Sequence, residues 1–212
     1  MRTIEKKNGR RKTHPFVTDV KNIRRRARTR IEEGAATEVY RAHRETVVRL
    51  LNEALASAIV CVLRYLRHYF MATGIHAHAV AQEFLQHAND EQGHADLIAA
   101  RITQLGGEPD VSPAGLLTRS HSEYIVGKDL LDMIREDLVA ERIGIDSYGE
   151  MIRYFGNDDP TSRRLIEQIL AKEEEHAEDL KALIETLGHD ERAAVVTLDP
   201  CGESFLDVYG AR

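Results

Sequence analysis

The sequence predicts an all-α protein: a four-helix bundle with one long crossover between the second and third helices. Apolar residues recur at helical spacing over four stretches of about thirty residues each. Short turns separate the first stretch from the second and the third from the fourth, whereas about sixteen residues separate the second from the third. Helices of this length rise roughly 45 Å. Only the longer connector can therefore return along the whole bundle.

The helix bounds follow from where this periodicity begins and stops. The four predicted helices cover residues 37–71, 76–105, 123–155 and 160–187. The crossover, residues 106–122, contains two prolines and little periodicity. Asp159 followed by Pro160 is typical of a helix N-cap with proline at the first helical position. Gly188 is predicted to end the fourth helix.

Composition excludes several classes of protein. The two cysteines, Cys61 and Cys201, form no Cys-x-x-Cys pattern and are too few for a disulfide scaffold. Cys61 lies on an apolar helix face and is predicted to be a small core residue, whereas Cys201 suggests no role. The uncharged stretch 54–63 is too short to span a bilayer, and no secretory signal follows the basic N-terminus. The sequence therefore predicts a cytoplasmic protein with no membrane partner.

The charge is divided unevenly along the chain. Residues 1–30 carry a net charge of +10, although the whole chain carries −6. This basic stretch has no sustained apolar period, which predicts a disordered arm over residues 1–35. The bundle would follow over 36–188, with a tail or short helix over 189–212. The arm is either a solvated extension or an element that binds DNA by releasing counterions from phosphates.

Two of the predicted helices repeat the pattern Glu-x-x-His. Glu91 and His94 lie on the second helix, and Glu173 and His176 on the fourth. A spacing of three places the two side chains on one helix face, one turn apart, so that both can bind one ion. A pair of such helices in a bundle with a long crossover indicates a carboxylate site for a pair of metal ions.

This arrangement requires one further carboxylate from each remaining helix. Glu141 lies 32 residues before Glu173, on the inward side of the third helix. A buried acid is costly unless it is paired or bound to metal, so Glu141 is predicted to be a ligand. The same offset before Glu91 reaches positions 58 and 59, which are Ala58 and Ile59, so the expected glutamate is absent there. Glu53 is no replacement, because five residues correspond to about 140° around a helix.

Residues 51–187 resemble the bacterioferritin and Dps-like branch of the ferritin superfamily. The matching pieces are Leu51-Asn52, Tyr65, Glu91-x-x-His94 followed by Ala95-Asp96, Glu141, and Glu173-x-x-His176. The resemblance implies a ferritin-like bundle that binds two iron ions inside each subunit and oxidises Fe(II).

Residue roles follow from the resemblance. Five side chains would bind metal, and the three glutamates among them would be catalytic: Glu91, His94, Glu141, Glu173 and His176. Glu91 and Glu173 would bridge the two ions, each histidine would bind one ion, and Glu141 would be a terminal ligand of one ion. Ala58 stands where the other terminal carboxylate belongs.

The resemblance also bears on the surroundings of the site. Tyr65 corresponds to a tyrosine beside the metal pair. Gln92 replaces the methionine that often binds haem, so no haem is expected. His87 is predicted to be a surface histidine, with a ligand where metal enters as the alternative. His76 and His78 are predicted to face solvent. The alternatives include a role for His68 in supporting the ligands or in compensating for Ala58.

The predicted function is that of an iron-storage ferroxidase, because carboxylate and imidazole ligands suit Fe or Mn. Its partners would be Fe(II), O2 or H2O2, and further copies of itself in a homo-oligomeric cage. The acidic body of the chain would attract cations. Two alternatives remain: a Dps-type protective protein that binds DNA through residues 1–30, and a manganese or other di-metal oxidase. DNA retardation and metal analysis distinguish them.

Overall fold

The computed structural model describes residues 19–75 and 77–197, with side chains as far as residue 188, and every regular element within these residues is helical. Six α-helices follow in order: α1 (Val20–Arg26), α2 (Arg44–Met71), α3 (Ala77–Gln104), α4 (Leu116–Arg119), α5 (Leu130–Phe155) and α6 (Pro160–Thr197). One 3-10 turn, Ile31–Glu33, lies between α1 and α2. The long helices α2 and α3 pack along each other, as do α5 and α6. The predicted all-α bundle with a crossover between its second and third long helices is confirmed.

Three predicted helix ends are wrong. α2 begins at Arg44 rather than near residue 37, after His43, whose side chain caps it. α5 begins at Leu130 rather than 123, with Asp129 as its N-cap. α6 continues past Gly188 to Thr197, because one glycine inside a helix costs only about 1 kcal/mol.

Tertiary hydrogen bonds explain the late start of α5. Arg64 of α2 donates to the carbonyl oxygen of Glu123 over 2.8 Å, and Arg67 donates to that of Val126 over 2.6 Å. Both carbonyl oxygens therefore accept from side chains of α2 instead of from backbone N–H groups of a helical turn, and α5 begins later in the chain. The crossover consequently runs from residue 105 to 129 and includes α4.

The start of α6 is held by Asp159, as predicted from the Asp-Pro pair. Its Oδ1 accepts from the backbone N–H of Ser162 over 2.9 Å. The same carboxylate accepts from Arg101 of α3 over 2.9 Å and from the Tyr40 hydroxyl over 2.8 Å. This buried network joins the two helix pairs at one end of the bundle.

Two large apolar clusters fill the bundle, and a small third one lies where α2 meets α4. One large cluster contains the inward residues of 47–58, 95–105, 148–155 and 166–169. The other contains Cys61 and Tyr65 with the inward residues of 80–88, 133–140 and 180–187. Cys61 is buried, which confirms its predicted place in the core. On α3, α5 and α6, the five side chains predicted to bind metal lie in the interval between these two large clusters.

By length and composition alone, α2 is apolar enough to cross a membrane, and half of its apolar window is buried inside the protein. A core helix passes the same test, and α2 is packed on α3, α4 and α5. In the described part of the N-terminal arm, α1 has no buried residue. Residues 1–18, His76 and residues 198–212, including Cys201, lie outside the described residues.

Candidate metal centre

The middle of the bundle brings together ligand-type side chains from three helices. One atom each from Glu91, Glu141, Glu173 and His176 lies within 4.8 Å of the others, and all four side chains are buried. His94 joins them, since its Nδ1 lies 3.2 Å from Glu173 Oε1 and 3.6 Å from Glu91 Oε2. All five side chains predicted to bind metal thus face one interior region of one chain.

His176 is oriented by a carboxylate that the sequence analysis missed. Its Nε2 lies 3.1 Å from Asp90 Oδ2, while its Nδ1 points at Glu141 Oε1, 3.8 Å away, and at Glu173 Oε2, 4.0 Å away. A carboxylate on the far nitrogen of a histidine is typical of metal-binding histidines. Asp90 directly precedes Glu91, but no spacing rule singles it out.

Several buried polar atoms of this region lack a hydrogen-bond partner among the described residues. They are His94 Nδ1, His176 Nδ1 and Glu173 Oε1. Such atoms are costly in a protein interior unless something satisfies them. Imidazole nitrogens and carboxylate oxygens are donors to Fe and Mn. The residues present therefore fit a divalent metal centre.

The glutamates differ in their affinity for protons. Burial favours protonation of Glu141, but the neighbouring Glu173 and His176 and the hydrogen bond from Tyr65 lower its pKa to about 2. Burial and the charge of Glu91 raise the pKa of Glu173 well above its usual value. A proton is therefore held more tightly by Glu173 than by Glu141. A divalent cation would compete with a proton at Glu173, because a metal-binding carboxylate is deprotonated.

Tyr65 and His87 line the Glu141 side of the centre. The Tyr65 hydroxyl donates to Glu141 Oε1, and His87 Nδ1 lies 3.2 Å from the Tyr65 oxygen. The His87 ring stacks on His176 with centroids 3.9 Å apart. Burial, followed by the nearby His176, lowers the pKa of His87 to about 4.

The prediction that His87 lies on the surface is wrong, because this side chain is fully buried between Tyr65 and His176. Its position one turn before Glu91 on the same face of α3 was the available signal. His78, by contrast, is exposed as predicted.

Helix α2 contributes no carboxylate to the described ligand cluster. Ala58 is 1% exposed and belongs to the apolar cluster that contains Ala95 and Tyr148. Glu53 instead pairs with Arg49 over 2.6 Å. Among the described residues, the ligand cluster therefore takes carboxylates from α3, α5 and α6 and none from α2.

His68 lies away from this ligand set. Its Nδ1 is 2.8 Å from Asp137 Oδ2, and Arg64 donates to the other oxygen of Asp137 over 2.7 Å. His68 is thus held in a buried ion-pair network and does not compensate for Ala58.

Comparison with known proteins finds similarity to ferritin-like proteins, which agrees with the resemblance noted in the sequence. The profile of the ferritin-like domain matches residues 48–189. The bacterioferritin BfrA of Mycobacterium tuberculosis is 31% identical over 147 residues, which cover 66% of this chain and 85% of that protein.

Solved structures share the same fold. A dodecameric thioferritin, the bacterioferritin-related protein of Bacteroides fragilis, aligns with a TM-score of 0.70 at 26% identity, covering 72% of this chain and 92% of that one. Dps from Thermosynechococcus elongatus aligns with a TM-score of 0.64 at 20% identity, covering 66% and 90% respectively. At that identity the Dps likeness supports the fold alone.

Proposed function

The chain belongs to the ferritin-like domain family, and on that premise we propose that it oxidises Fe(II) inside each subunit and stores the ferric product. The family is one of iron-storing and iron-oxidising proteins. One observation carries the assignment to this chain. Three carboxylates and two imidazoles converge in the buried middle of the bundle, with nitrogen and oxygen atoms that lack protein partners among the described residues.

Fe(II) is the substrate in this proposal, and the side chains divide the binding between two positions. Glu173 approaches His94 through Oε1 and His176 through Oε2, which supports a role shared by both positions. Glu91 lies near His94 and within the cluster that contains His176. Glu141 serves the His176 position only. Two Fe(II) ions lose one electron each, and the two electrons, together with two protons from solvent, reduce O2 to H2O2 or H2O2 to two water molecules.

The protein groups around the ions bind and orient. Asp90 fixes the ring of His176, and the Tyr65 hydroxyl fixes the carboxylate of Glu141. The apolar clusters on either side exclude bulk water. Since the His94 position lacks a carboxylate equivalent to Glu141, it binds Fe(II) more weakly and completes its coordination with water.

Anaerobic loading followed by oxidation tests this proposal. Fe(II) is added to the full chain without oxygen, and the ferric absorbance is followed after mixing with O2 or H2O2. Glu91→Gln should lose oxidation, whereas Asp96→Asn, which changes an exposed carboxylate of the same helix, should oxidise like the parent. Equal rates in parent and Glu91→Gln would contradict the proposal. Metal analysis of protein purified without added iron distinguishes manganese as the resident metal.

A second candidate function, binding to DNA, is favoured by the exposed cations of the N-terminal arm. Five basic side chains in and after α1 are exposed: Lys21, Arg24, Arg25, Arg28 and Arg30. Clustered cations release counterions from DNA, so binding should weaken by close to one unit of log–log slope per neutralised phosphate. Retardation of DNA by the full chain is compared with that by a variant lacking residues 1–30. Unchanged affinity would exclude the arm as the binding element.

Assembly into a homo-oligomeric cage is also proposed, as the thioferritin relative is a dodecamer. Exposed apolar side chains occur where the crossover runs beside α2: Leu63, Tyr124, Ile125 and Val126. Light scattering should find a large assembly, and Leu63→Arg should reduce its size, because burying an unpaired charge opposes association. A monomeric parent protein would contradict this expectation.

A further inference from the structure

A second group of ligand-type side chains lies beside the proposed centre and shares none of its five ligands. Ligand atoms of Glu83, His87 and Asp179 all lie within 4.8 Å of one another. His87 Nε2 is 3.3 Å from Glu83 Oε1 and 3.8 Å from Asp179 Oδ2. The His87 side chain is 0% exposed, whereas those of Glu83 and Asp179 are 32% and 45% exposed. The group is therefore open to solvent on its carboxylate side.

The tautomer of His87 follows from its neighbour. Tyr65 has one hydroxyl hydrogen, which it donates to Glu141. The Tyr65 oxygen therefore accepts from His87 Nδ1, 3.2 Å away. A neutral imidazole carries one N–H, so Nε2 presents a lone pair.

That lone pair points into a group of acceptors. His87 Nε2 is buried and has no hydrogen-bond partner in the part of the chain whose side chains are described. Its two nearest charged neighbours are the carboxylates of Glu83 and Asp179, which are themselves acceptors. Lys172 is engaged with Asp90 and Glu175. A cation placed between the three groups would satisfy all of them.

We propose that Glu83, His87 and Asp179 form a third divalent-cation site of the Fe(II) or Mn(II) class. Two carboxylates and one imidazole suit these ions, and the exposed side of the group leaves room for water ligands. The Tyr65 oxygen holds the far N–H of His87, as is usual for metal-binding histidines. His87 contacts Tyr65 through Nδ1 and stacks on His176. An ion bound at Nε2 would therefore be separated from the proposed centre by one side chain and would still exchange with solvent.

Binding of Mn(II) to the full chain tests this site, because Mn(II) resists oxidation and gives an anomalous signal. Asp179→Asn and Glu83→Gln should each lower the stoichiometry by one Mn(II) per chain. Glu178→Gln, which changes a neighbouring carboxylate that is 75% exposed and paired with Lys181, should leave it unchanged. An anomalous map of parent crystals soaked in Mn(II) should place a peak between the three side chains.

Failure of this site is distinguishable from failure of the proposed function. Glu91→Gln should lose Mn(II) from the centre and keep the peak at His87. Loss of Mn(II) in Asp179→Asn but not in Glu91→Gln would leave the third site standing and overturn the centre. Absence of a peak beside His87 Nε2 in the parent, or parent stoichiometry in both carboxylate variants, would overturn the third site.

Discussion

The helix pair α2–α3 and the helix pair α5–α6 each supply one Glu-x-x-His, but they differ in the carboxylate on the other helix. In the second pair Glu141 of α5 faces His176, whereas in the first pair the equivalent position on α2 is Ala58. The first pair contributes supporting groups to the ligands of the second, since Tyr65 contacts Glu141 and Asp90 contacts His176. In the proposed centre, the position beside His176 would therefore have a terminal carboxylate, whereas the position beside His94 would depend on the shared glutamates.

This difference shows that the bundle forms with a packed apolar residue at the position where the resemblance places a carboxylate. Ala58 packs in an apolar cluster with Leu55, Ala95 and Tyr148. An apolar residue at this position contributes hydrophobic burial, whereas an unmatched carboxylate would be costly. Packing around position 58 therefore favours alanine unless a metal ion is bound.

The largest effect on metal binding is expected when the helix pair α5–α6 loses Glu141. Glu141→Ala should make the two halves alike, so that neither position keeps a terminal carboxylate. Metal ligation is sensitive even to outer partners, whose loss costs about 10–100-fold in affinity, so removal of a ligand should cost at least as much. Mn(II) titration and Fe(II) oxidation measure the loss. Glu150→Ala, an exposed site on the same helix, is the control, and parent-like affinity in Glu141→Ala would refute the asymmetry.

The helix pair α2–α3 should bind metal more tightly when position 58 supplies a carboxylate. Ala58→Glu should tighten binding of the second Mn(II) by about tenfold or more and should speed Fe(II) oxidation. Ala182→Glu, on an exposed position of α6, controls for added negative charge. If the parent already binds two ions with equal affinity and oxidises iron as fast as Ala58→Glu, the interpretation of position 58 is wrong.

A smaller effect is expected from the group that orients His176. Asp90→Asn keeps a hydrogen-bond acceptor but removes the charge, so the His176 position should bind Mn(II) about tenfold more weakly. The His94 position should change less. Site-resolved occupancies from anomalous diffraction at limiting Mn(II) provide the measurement, and equal losses at both positions would show that Asp90 acts on the whole centre.

The smallest effect on metal binding is expected from a change of Asp159, which joins the two helix pairs at one end of the bundle and should affect stability instead. Burial favours protonation of Asp159, but hydrogen bonds from Ser162 and Tyr40 and the charge of Arg101 lower its pKa below the usual value. Its stabilising effect is present above the unfolded-state pKa of about 3.9 and is lost as pH falls through the lower folded-state value.

Asp159→Asn should therefore reduce the free energy of unfolding by roughly 2 kcal/mol at pH 7. The difference from the parent should shrink below about pH 4. Denaturant unfolding across this pH range measures it, with Asp158→Asn at an exposed neighbour as the control. A difference that does not vary with pH would show that the carboxylate charge is not the cause.

Local sequence patterns were sufficient to predict the long helices and the candidate ligands of this protein. Helical periodicity predicted four long helices and their pairing, and the Asp159-Pro160 pair predicted the start of α6. Spacing alone selected five side chains that the fold brings to one region, and it identified Ala58 as the departure. The helices and the two Glu-x-x-His pairs depend on residues three to four apart on one helix face. Glu141 and Ala58 follow from their similar offsets before Glu173 and Glu91.

The tertiary structure decided the features that depend on contacts between helices. Residues 123–129 lie outside any helix because Arg64 and Arg67, more than fifty positions earlier, bind the carbonyl groups of Glu123 and Val126. His87 is buried because Tyr65 and His176 enclose it, and the ring orientation of His176 depends on Asp90 of another helix. Sequence periodicity specifies which face of a helix is inward. Which neighbour that face meets, and which nitrogen of a histidine then remains available to a metal ion, is set only when the helices pack.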